Sequence, residues 1–366
     1  TLGIRESAYP PASPACWDGR VFFVDTLNGE VHSLRAADGA FIWKTRLRPK
    51  AEDGGATVRN KSFAPVVTEG KVYVGTVGGC VCLDAISGEL LWRWENLGDW
   101  HVGTHPAVDG GNVVLTGSVR MREFFGISGP FEHRTVCLDR STGQKRWEYR
   151  CPPDDNYLPP VLTIAGNRVY GCSREVFCLD VATGEELWRY ALAKPQNRPH
   201  LDEPFYSPVI VANGRAFAGS EWGRLVCLKA DSGELVWQKR VEVINEPRWP
   251  GMAILPQACL KGKLYAVSMD RTVRAIDATT GRELWHFPST SGSDTDKWSF
   301  VTPVIASTGK LYFGWKDMKN GLRVAGLICL DADSGREEWM VETSRMPVMD
   351  ANLNPLPGQP VGGPVL

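Results

Sequence analysis

Three histidines are the residues of this chain that could hold a metal ion. His101 and His105 are four residues apart, and His133 lies in a long insert between two predicted strands. Gly103 and Pro106 argue against a helix. In an extended segment, however, the imidazoles of His101 and His105 could still lie on the same side of the backbone. With His133 as a third nitrogen ligand, the set would suit an ion such as zinc. A histidine in a loop is more often hydrogen-bonded or solvated, so we predict no metal site and keep the three as candidates.

Aromatic and charged side chains accumulate in the segments that enter the first strand of several repeats, at 98–105, 154–158, 202–207, 245–252 and 294–300. Loops on a rigid scaffold carry function disproportionately, so we interpret these segments as a candidate binding face. That loop face consists of Trp100, His101, His105, Tyr157, Tyr206, Arg248, Trp249, Lys297 and Trp298. The alternative is that the segments are polar connections whose aromatic rings pack over a channel.

Two chemistries could use this face. His105, Tyr206 and Arg248 could transfer protons and neutralise charge in a lyase or hydrolase, with the aromatic rings stacking on a sugar. Asp294 and Asp296 could bind calcium, but the surrounding ligands are missing and a solvated loop explains them better. The spacing of these residues in the sequence is not specific for either chemistry, so no catalytic residue is assigned.

One eleven-residue sequence motif, called the phrase below, recurs along the chain. The repeated structure that it forms must position all of these loops. The phrase reads CLDAISGELLW at 82–92, and it returns at 137–147, 178–188, 227–237, 275–285 and 329–339, with a weaker first copy at 33–43. Each copy ends on a tryptophan, and these are Trp43, Trp92, Trp147, Trp188, Trp237, Trp285 and Trp339. A unit repeated about every 50 residues indicates a propeller, a solenoid or an array.

Each phrase predicts the end of one strand, a tight turn at Ser/Thr-Gly, and a second strand that carries the tryptophan. Two further strands precede it, as in 207–220, where Asn213-Gly214 is a hairpin signal. Four antiparallel strands repeated without helical periodicity form a propeller blade, and the signatures of solenoids are absent. A large indole at one fixed place in each blade is best explained as a side chain that fills the boundary between neighbouring blades.

The fold class is therefore an all-β propeller with seven complete four-stranded blades, forming a single domain over 1–366. The blades cover approximately 13–43, 63–92, 104–147, 158–188, 206–237, 254–285 and 301–339. Residues 340–366 are a tail or the start of a further blade, because Pro364 resembles the proline of other blade starts. Blade three carries a long insert at 118–136 and blade seven a shorter one at 315–327, both on the side of the loop face.

The ten cysteines do not fix the cellular compartment. Five of them occupy the same position in the phrase, namely Cys82, Cys137, Cys178, Cys227 and Cys329. Ala275 and Ser33 replace them in the other copies, so the position needs a small buried side chain and we predict free thiols there. The others show no paired spacing, and a bridge between Cys151 and Cys172 is left open.

Composition excludes some partners. The formal net charge of the 366 residues is −1, which gives no electrostatic case for nucleic acid. No apolar stretch approaches the length of a membrane span. The first residue is Thr1 rather than Met, which fits export to the periplasm or the exterior of a bacterium and fits a fragment of a longer chain equally well.

The Asp-x-x-Ser/Thr-Gly-x-x-x-Trp pattern of the phrase resembles the tryptophan-docking motif of the pyrroloquinoline-quinone-like β-propellers, and the resemblance covers nearly the whole chain. That superfamily includes quinoprotein alcohol dehydrogenases, the propeller lipoprotein of outer-membrane assembly and sensor domains of receptor kinases. The dehydrogenases typically have a vicinal Cys-Cys disulfide beside the quinone, and no Cys-Cys pair occurs here. The repeated residues are structural, so the resemblance indicates the fold far better than the function.

We therefore expect a non-catalytic, exported scaffold that binds a protein or a ligand through the loop face. No cofactor is expected, and pyrroloquinoline quinone or a metal ion is the lesser alternative. The competing hypothesis is an enzyme at the channel mouth, either a quinoprotein-type oxidoreductase or a sugar-active lyase or hydrolase. Its ligand would be a carbohydrate or another small molecule rather than a protein.

Overall fold

The structure is a computed structural model of the chain. It describes residues 14–25, 28–47, 64–76, 78–96, 101–120, 131–152, 160–193, 203–205, 207–241, 254–268, 272–288, 299–300, 304–319 and 322–347. Within these ranges every regular element is a β-strand. No helix among them is long and apolar enough to cross a membrane.

The strands form seven antiparallel sheets, each built from strands that are consecutive in sequence. This confirms the predicted seven-bladed all-β propeller. Contacts within the chain group the blades into two compact units, Thr1–Ala191 with blades one to four and Leu192–Leu366 with blades five to seven. Each unit is described below by itself.

The first unit contains four blades. Blade one consists of β1 (Ala15–Trp17), β2 (Arg20–Asp25), β3 (Glu30–Arg35) and β4 (Phe41–Arg46). Blade two consists of β5 (Val66–Thr68), β6 (Lys71–Thr76), β7 (Gly79–Asp84) and β8 (Leu90–Glu95). Blade three consists of β9 (His101–Val102), β10 (Ala107–Asp109), β11 (Asn112–Arg120), β12 (Phe131–Asp139) and β13 (Lys145–Arg150). Blade four consists of β14 (Val161–Ala165), β15 (Arg168–Cys172), β16 (Val176–Asp180) and β17 (Glu186–Tyr190).

The second unit contains three blades. Blade five consists of β18 (Ile210–Ala212), β19 (Arg215–Gly219), β20 (Arg224–Lys229) and β21 (Leu235–Arg240). Blade six consists of β22 (Ile254–Leu260), β23 (Lys263–Ser268), β24 (Thr272–Asp277) and β25 (Glu283–Phe287). Blade seven consists of β26 (Ser299–Phe300), β27 (Ile305–Ser307), β28 (Lys310–Lys319), β29 (Leu322–Asp331) and β30 (Glu337–Pro347).

Blades three and seven depart from the regular pattern in the way their inserts suggest. In blade three both β9 and β10 pair with β11, so the first strand of this blade is interrupted. In blade seven β26 and β27 both pair with β28 in the same way. The described residues of both predicted inserts lengthen the second and third strands, and β30 continues to Pro347. The beginning of the predicted tail at 340–366 therefore belongs to blade seven.

The turn between the third and fourth strands is built from the polar residues of the phrase. In blade three Asp139 Oδ1 accepts hydrogen bonds from the N–H groups of Ser141 and Thr142, each at 2.9 Å. Gly143 then adopts a φ of +72°, a left-handed conformation that side chains other than glycine rarely tolerate. The same carboxylate contact to the Ser or Thr three residues later is made by Asp84, Asp180, Asp277 and Asp331. The phrase is thus a self-contained turn.

We expect the protein to lose stability as the pH falls from about 4 to about 2. Hydrogen bonds from Thr142 and Arg146 lower the pKa of Asp139 from 3.8 to about 2. The pKa values of the four other turn aspartates are lowered as well, chiefly by the Ser or Thr that each one binds. A carboxyl whose pKa is lower in the folded state stabilises the fold above its unfolded pKa, and this contribution disappears as the pH falls through the folded value. Urea midpoints measured across this range test the expectation.

The control for acid sensitivity is Asp139→Asn, in which one of these groups can no longer titrate. Its urea midpoint should change less between pH 4 and pH 2 than that of the wild type. The difference should equal roughly the contribution of one titrating carboxyl group. A wild-type midpoint that stays constant over this range would show that the turn carboxylates do not govern acid stability.

In five of the blades, the tryptophan that ends the phrase lies against the turn of the following blade. Trp92 Nε1 donates a hydrogen bond to the carbonyl oxygen of Arg140 at 3.0 Å. Its ring approaches Gly143 so closely that a Cβ on that glycine would lie 2.6 Å from a ring carbon. The same arrangement pairs Trp43 with Gly88, Trp147 with Gly184, Trp237 with Gly281 and Trp285 with Gly335. Each of these indoles therefore connects two consecutive blades.

The core lies between the faces of adjacent blades. In blade two Tyr73, Cys82 and Trp92 are cross-strand partners in one row. This row packs in one cluster with apolar side chains of β11 and β12 in blade three. The five phrase cysteines are buried and their thiols are free, which confirms the prediction of small core residues. Cys151 and Cys172 are both buried and are not joined by a disulfide.

Candidate protein-binding surface

Most of the predicted loop face lies outside the described residues. This applies to Trp100, Tyr157, Tyr206, Arg248, Trp249, Lys297 and Trp298, and to Asp294 and Asp296. For His101 the structure describes the backbone, which begins β9, and for His105 it describes the side chain as well. The assignment of the loop face therefore stays a prediction.

Two histidines of blade three lie opposite the same residue of a strand between them. Ser118 of β11 pairs with His101 of β9 on one side and with His133 of β12 on the other. His133 is fully buried, and its Nδ1 lies 2.8 Å from the Ser118 hydroxyl oxygen. Its backbone carbonyl accepts a hydrogen bond from the N–H of Cys151 at 2.9 Å. His133 is thus held inside the blade by hydrogen bonds.

His105 follows β9 in non-helical backbone, as Gly103 and Pro106 predicted. Burial lowers the pKa of its imidazole below the ordinary value. The ring is therefore neutral at pH 7, because desolvation penalises the charged form. At that pH His105 can offer a partner an apolar and hydrogen-bonding surface rather than a positive charge.

A cluster that sequence reasoning missed lies at one end of blade one. Ligand atoms of Asp25, Glu30 and His32 lie within 4.8 Å of one another, and among the described side chains this is the group that could surround a metal ion. The Asp25 carboxylate already accepts hydrogen bonds from the side-chain amide and the N–H of Asn28. The Glu30 carboxylate lies 3.1 Å from the ammonium of Lys44. These oxygens therefore already take part in a network of contacts within blade one.

The entry segment of blade five is anchored by a buried carboxylate that the sequence did not single out. Glu203 is buried, and it accepts a hydrogen bond from the Ser220 hydroxyl. Its other oxygen lies 3.1 Å from the guanidinium of Arg224. Phe205 forms a β-bridge with Ser220. This network fixes the segment that leads to Tyr206 against the blade, and it is the kind of rigid support that a binding loop requires.

The cysteines of this chain include no vicinal pair like the one that the dehydrogenases place beside their quinone. Cys80 and Cys82 have the shortest cysteine spacing in the chain, and both belong to the core between blades two and three. Burial raises the pKa of Cys82 to about 11 and raises that of Cys80 further from its ordinary range. Both thiols are therefore protonated and packed as apolar side chains. No step through a quinone is assigned to this chain.

One blade face in the second unit is exposed and apolar. It consists of Tyr312, Leu327, Trp339 and Val341, which lie on the same side of β28, β29 and β30 according to the strand register. Leu327 is 49% exposed, Trp339 42% and Val341 50%. We call this set the terminal face of blade seven. Their exposed apolar side chains make this face a candidate interaction surface.

Seven antiparallel blades, with an indole packed over a Ser/Thr-Gly turn at five blade boundaries, place the chain among the repeat β-propellers of the pyrroloquinoline-quinone-like class. Its described surface offers an apolar blade face and anchored loop segments. The chain belongs to the family described as outer membrane protein assembly factor BamB, whose sequence model matches residues 6–150, 78–174 and 172–363.

Curated relatives include proteins of two different roles. Outer membrane protein assembly factor BamB of Yersinia pestis is 23% identical over 337 residues, covering 90% of this chain and 66% of the relative. Quinohemoprotein alcohol dehydrogenase ADH-IIG of Pseudomonas putida is 25% identical over 302 residues, covering 79% of this chain. The chain spans only 33% of the length of that enzyme.

Solved structures that resemble this chain also include both assembly factors and alcohol dehydrogenases. The crystal structure of BamB from Moraxella catarrhalis superimposes with a TM-score of 0.62 at 16% identity, covering 93% of this chain and 89% of that protein. The alcohol dehydrogenase ADHIIG of Pseudomonas putida superimposes with a TM-score of 0.61 at 16% identity, covering 90% of this chain and 66% of the enzyme. At these identities the likeness establishes the fold alone.

Proposed function

We propose that this chain is a non-catalytic, exported propeller that binds other proteins during outer-membrane protein assembly on the periplasmic side. The observation that carries the proposal is the match to the assembly-factor family, which extends over nearly the whole chain. The Yersinia relative, named for that role, aligns with 90% of this chain.

The electrostatics of the described residues support a non-catalytic role. Strongly shifted pKa values mark candidate catalytic groups, but here the largest shifts belong to structural positions. The lowered values include those of the turn aspartates, such as Asp139, and that of His105, whose cause is burial alone. The raised values include those of core thiols such as Cys137, whose pKa burial raises to about 12. They also include that of Tyr73, which burial raises to about 12 and which accepts a hydrogen bond from Arg140 across the blade boundary.

The partner surface in this proposal is the loop face, from Trp100 to Trp298. Anchored segments such as that at Glu203 would present aromatic rings to an incoming polypeptide with little loss of entropy. Tryptophan, tyrosine and arginine are also the side chains that contribute most strongly to protein interfaces. A carbohydrate or small-molecule ligand has no comparable support in the described residues.

The proposal is tested in a bacterium that lacks the endogenous copy of this chain. We expect the abundance of outer-membrane proteins to fall and the wild-type chain to restore it. The double variant Trp249→Ala and Trp298→Ala should fail to restore it, because the largest aromatic contacts of the loop face are removed. Leu187→Ser, which changes an exposed apolar residue on the outer strand of blade four, is the matched control and should restore it.

Two results would contradict the proposed function. One is an unchanged abundance of outer-membrane proteins in cells without the chain. The other is dye-linked oxidation of primary alcohols by the purified protein in the presence of pyrroloquinoline quinone and calcium, which would favour the oxidoreductase hypothesis.

A further inference from the structure

The hairpin of β2 and β3 in blade one gathers two carboxylates and an imidazole on one side. Asp25 and Glu30 are directly opposite each other in the strand pair, and His32 follows Glu30 by two residues on the same side of β3. One ligand atom of each residue lies within 4.8 Å of those of the other two, and all three residues are half-buried. Like charges placed directly opposite in a strand pair destabilise it. A cation between the two carboxylates would therefore stabilise the hairpin.

The Nε2 atom of His32 distinguishes this cluster from an ordinary ion pair. The atom is buried, and among the described residues it has no hydrogen-bond partner. It lies 3.4 Å from Glu30 Oε2, which is longer than the usual hydrogen bond to nitrogen. Tetrahedral bonds of about 2.1 Å to a zinc ion separate two ligand atoms by about 3.4 Å. The distance between this nitrogen and this oxygen therefore fits two ligands of one metal ion.

Neighbouring side chains hold two of these groups in place. Phe23 is opposite His32 in the strand pair and stacks on it, with ring centroids 4.9 Å apart and an interplanar angle of 24°. Phe41 lies edge-on to the same imidazole, with ring centroids 6.5 Å apart. The side-chain amide of Asn28 donates a hydrogen bond to Asp25 Oδ2 at 2.6 Å, and such bonds orient carboxylates that bind metals. The imidazole and this carboxylate are thus positioned before an ion binds.

We propose that Asp25, Glu30 and His32 bind one divalent transition-metal ion, for which zinc is the best match. Magnesium and calcium prefer ligand sets made of oxygen alone, whereas zinc accepts imidazole nitrogen together with carboxylate oxygen. Three protein ligands leave the fourth position of a tetrahedral zinc ion to water. The three ligands belong to one hairpin, so the inference concerns blade one alone. It goes beyond the proposed assembly role and does not depend on it.

Lys44 competes with a metal ion for this site. Its ammonium lies 3.1 Å from Glu30 Oε2, the oxygen that also faces the His32 imidazole. The lysine side chain is 54% exposed, so it can turn into solvent when an ion takes its place. Arg46, opposite Glu30 on β4, is exposed as well. Because the loss of a nearby positive charge favours cation binding, we expect Lys44→Met to tighten zinc binding by about threefold to tenfold.

The test is calorimetric titration of the full chain with zinc after treatment with a chelator. We expect one zinc ion per chain to depend on this site, with a dissociation constant of about 1 to 10 μM. His32→Gln and Asp25→Asn should each weaken this binding by about tenfold or more, because each removes a ligand. Zinc should also raise the thermal unfolding midpoint of the wild type but not that of His32→Gln, because only the wild type gains binding energy in the folded state.

His286→Gln is the matched control. His286 Nδ1 lies 2.8 Å from a carboxylate oxygen of Glu283 in blade six, so this variant also removes an imidazole that is paired with a glutamate. Its zinc affinity should equal that of the wild type. Circular dichroism shows whether each variant is folded. If Asp25→Asn does not fold, the opposite effects expected for His32→Gln and Lys44→Met decide the question.

Three results would overturn this inference. The first is a wild-type chain that binds no zinc at concentrations up to about 100 μM. The second is a folded His32→Gln variant that binds zinc as tightly as the wild type, or a loss of the same size in His286→Gln. The third is a Lys44→Met variant that binds zinc no more tightly than the wild type, which would remove Glu30 from the site.

Discussion

Replacing Trp92 with alanine is expected to lower the free energy of unfolding by about 3–5 kcal/mol. The indole is only 7% exposed, and it fills the contact between blades two and three. The substitution also removes the N–H donor to the Arg140 carbonyl, an interaction of about 1 kcal/mol. Urea unfolding, followed by circular dichroism at low protein concentration, measures the loss.

The matched control is Trp339→Ala, because the residue, the phrase and the position in the blade are the same. Trp339 is 42% exposed, so we expect a loss of about 1 kcal/mol. Equal losses for the two variants would contradict the conclusion that the indoles stabilise the fold through the next blade. They would instead indicate that each indole stabilises its own blade only.

Replacing Gly143 with alanine is expected to lower the free energy of unfolding by about 2–4 kcal/mol. Two effects add at this position. The backbone has a φ of +72°, which costs an alanine about 1 kcal/mol, and the new Cβ would lie 2.6 Å from the ring of Trp92. Relieving this contact requires the ring of Trp92 or the turn that contains Gly143 to shift, which loosens the packing between blades two and three. The same urea experiment measures the result.

Gly110→Ala separates these two effects within the same blade. Gly110 has a φ of +51°, and nothing lies within 4 Å of the place where its Cβ would be. The backbone strain is therefore retained without the collision, and we expect a loss of about 1 kcal/mol. If Gly143→Ala were no more destabilising than Gly110→Ala, the close approach of the indole would have no energetic role.

The local architecture was predictable because its causes are contiguous in sequence. The hairpin at Asn213-Gly214 is formed as expected, with φ values of +50° and +71°. The turn carboxylate, its Ser or Thr partner and the glycine all lie within five residues, so their hydrogen bonds do not depend on distant parts of the chain. The blade count followed from the period of the phrase, since each sheet is built from consecutive strands.

The candidate surfaces were much harder to predict. Glu203 and Arg224 are 21 residues apart, counting from 203 to 224, and no pattern in the sequence indicates that their charges meet inside blade five. The cluster of Asp25, Glu30 and His32 depends on the register of β2 and β3, and a shift of one residue would disperse it. The loop face stays a prediction from residue types.

The sequence by itself determined the repeated blade, its turn and the position of the indole at the end of every phrase. Only the tertiary structure decided which indoles are covered, because an indole in one blade is buried by a turn that belongs to the next. Trp92 and its acceptor Arg140 are 48 residues apart, and the same phrase leaves Trp92 buried and Trp339 exposed. Burial is a property of two surfaces, whereas the phrase specifies only one of them.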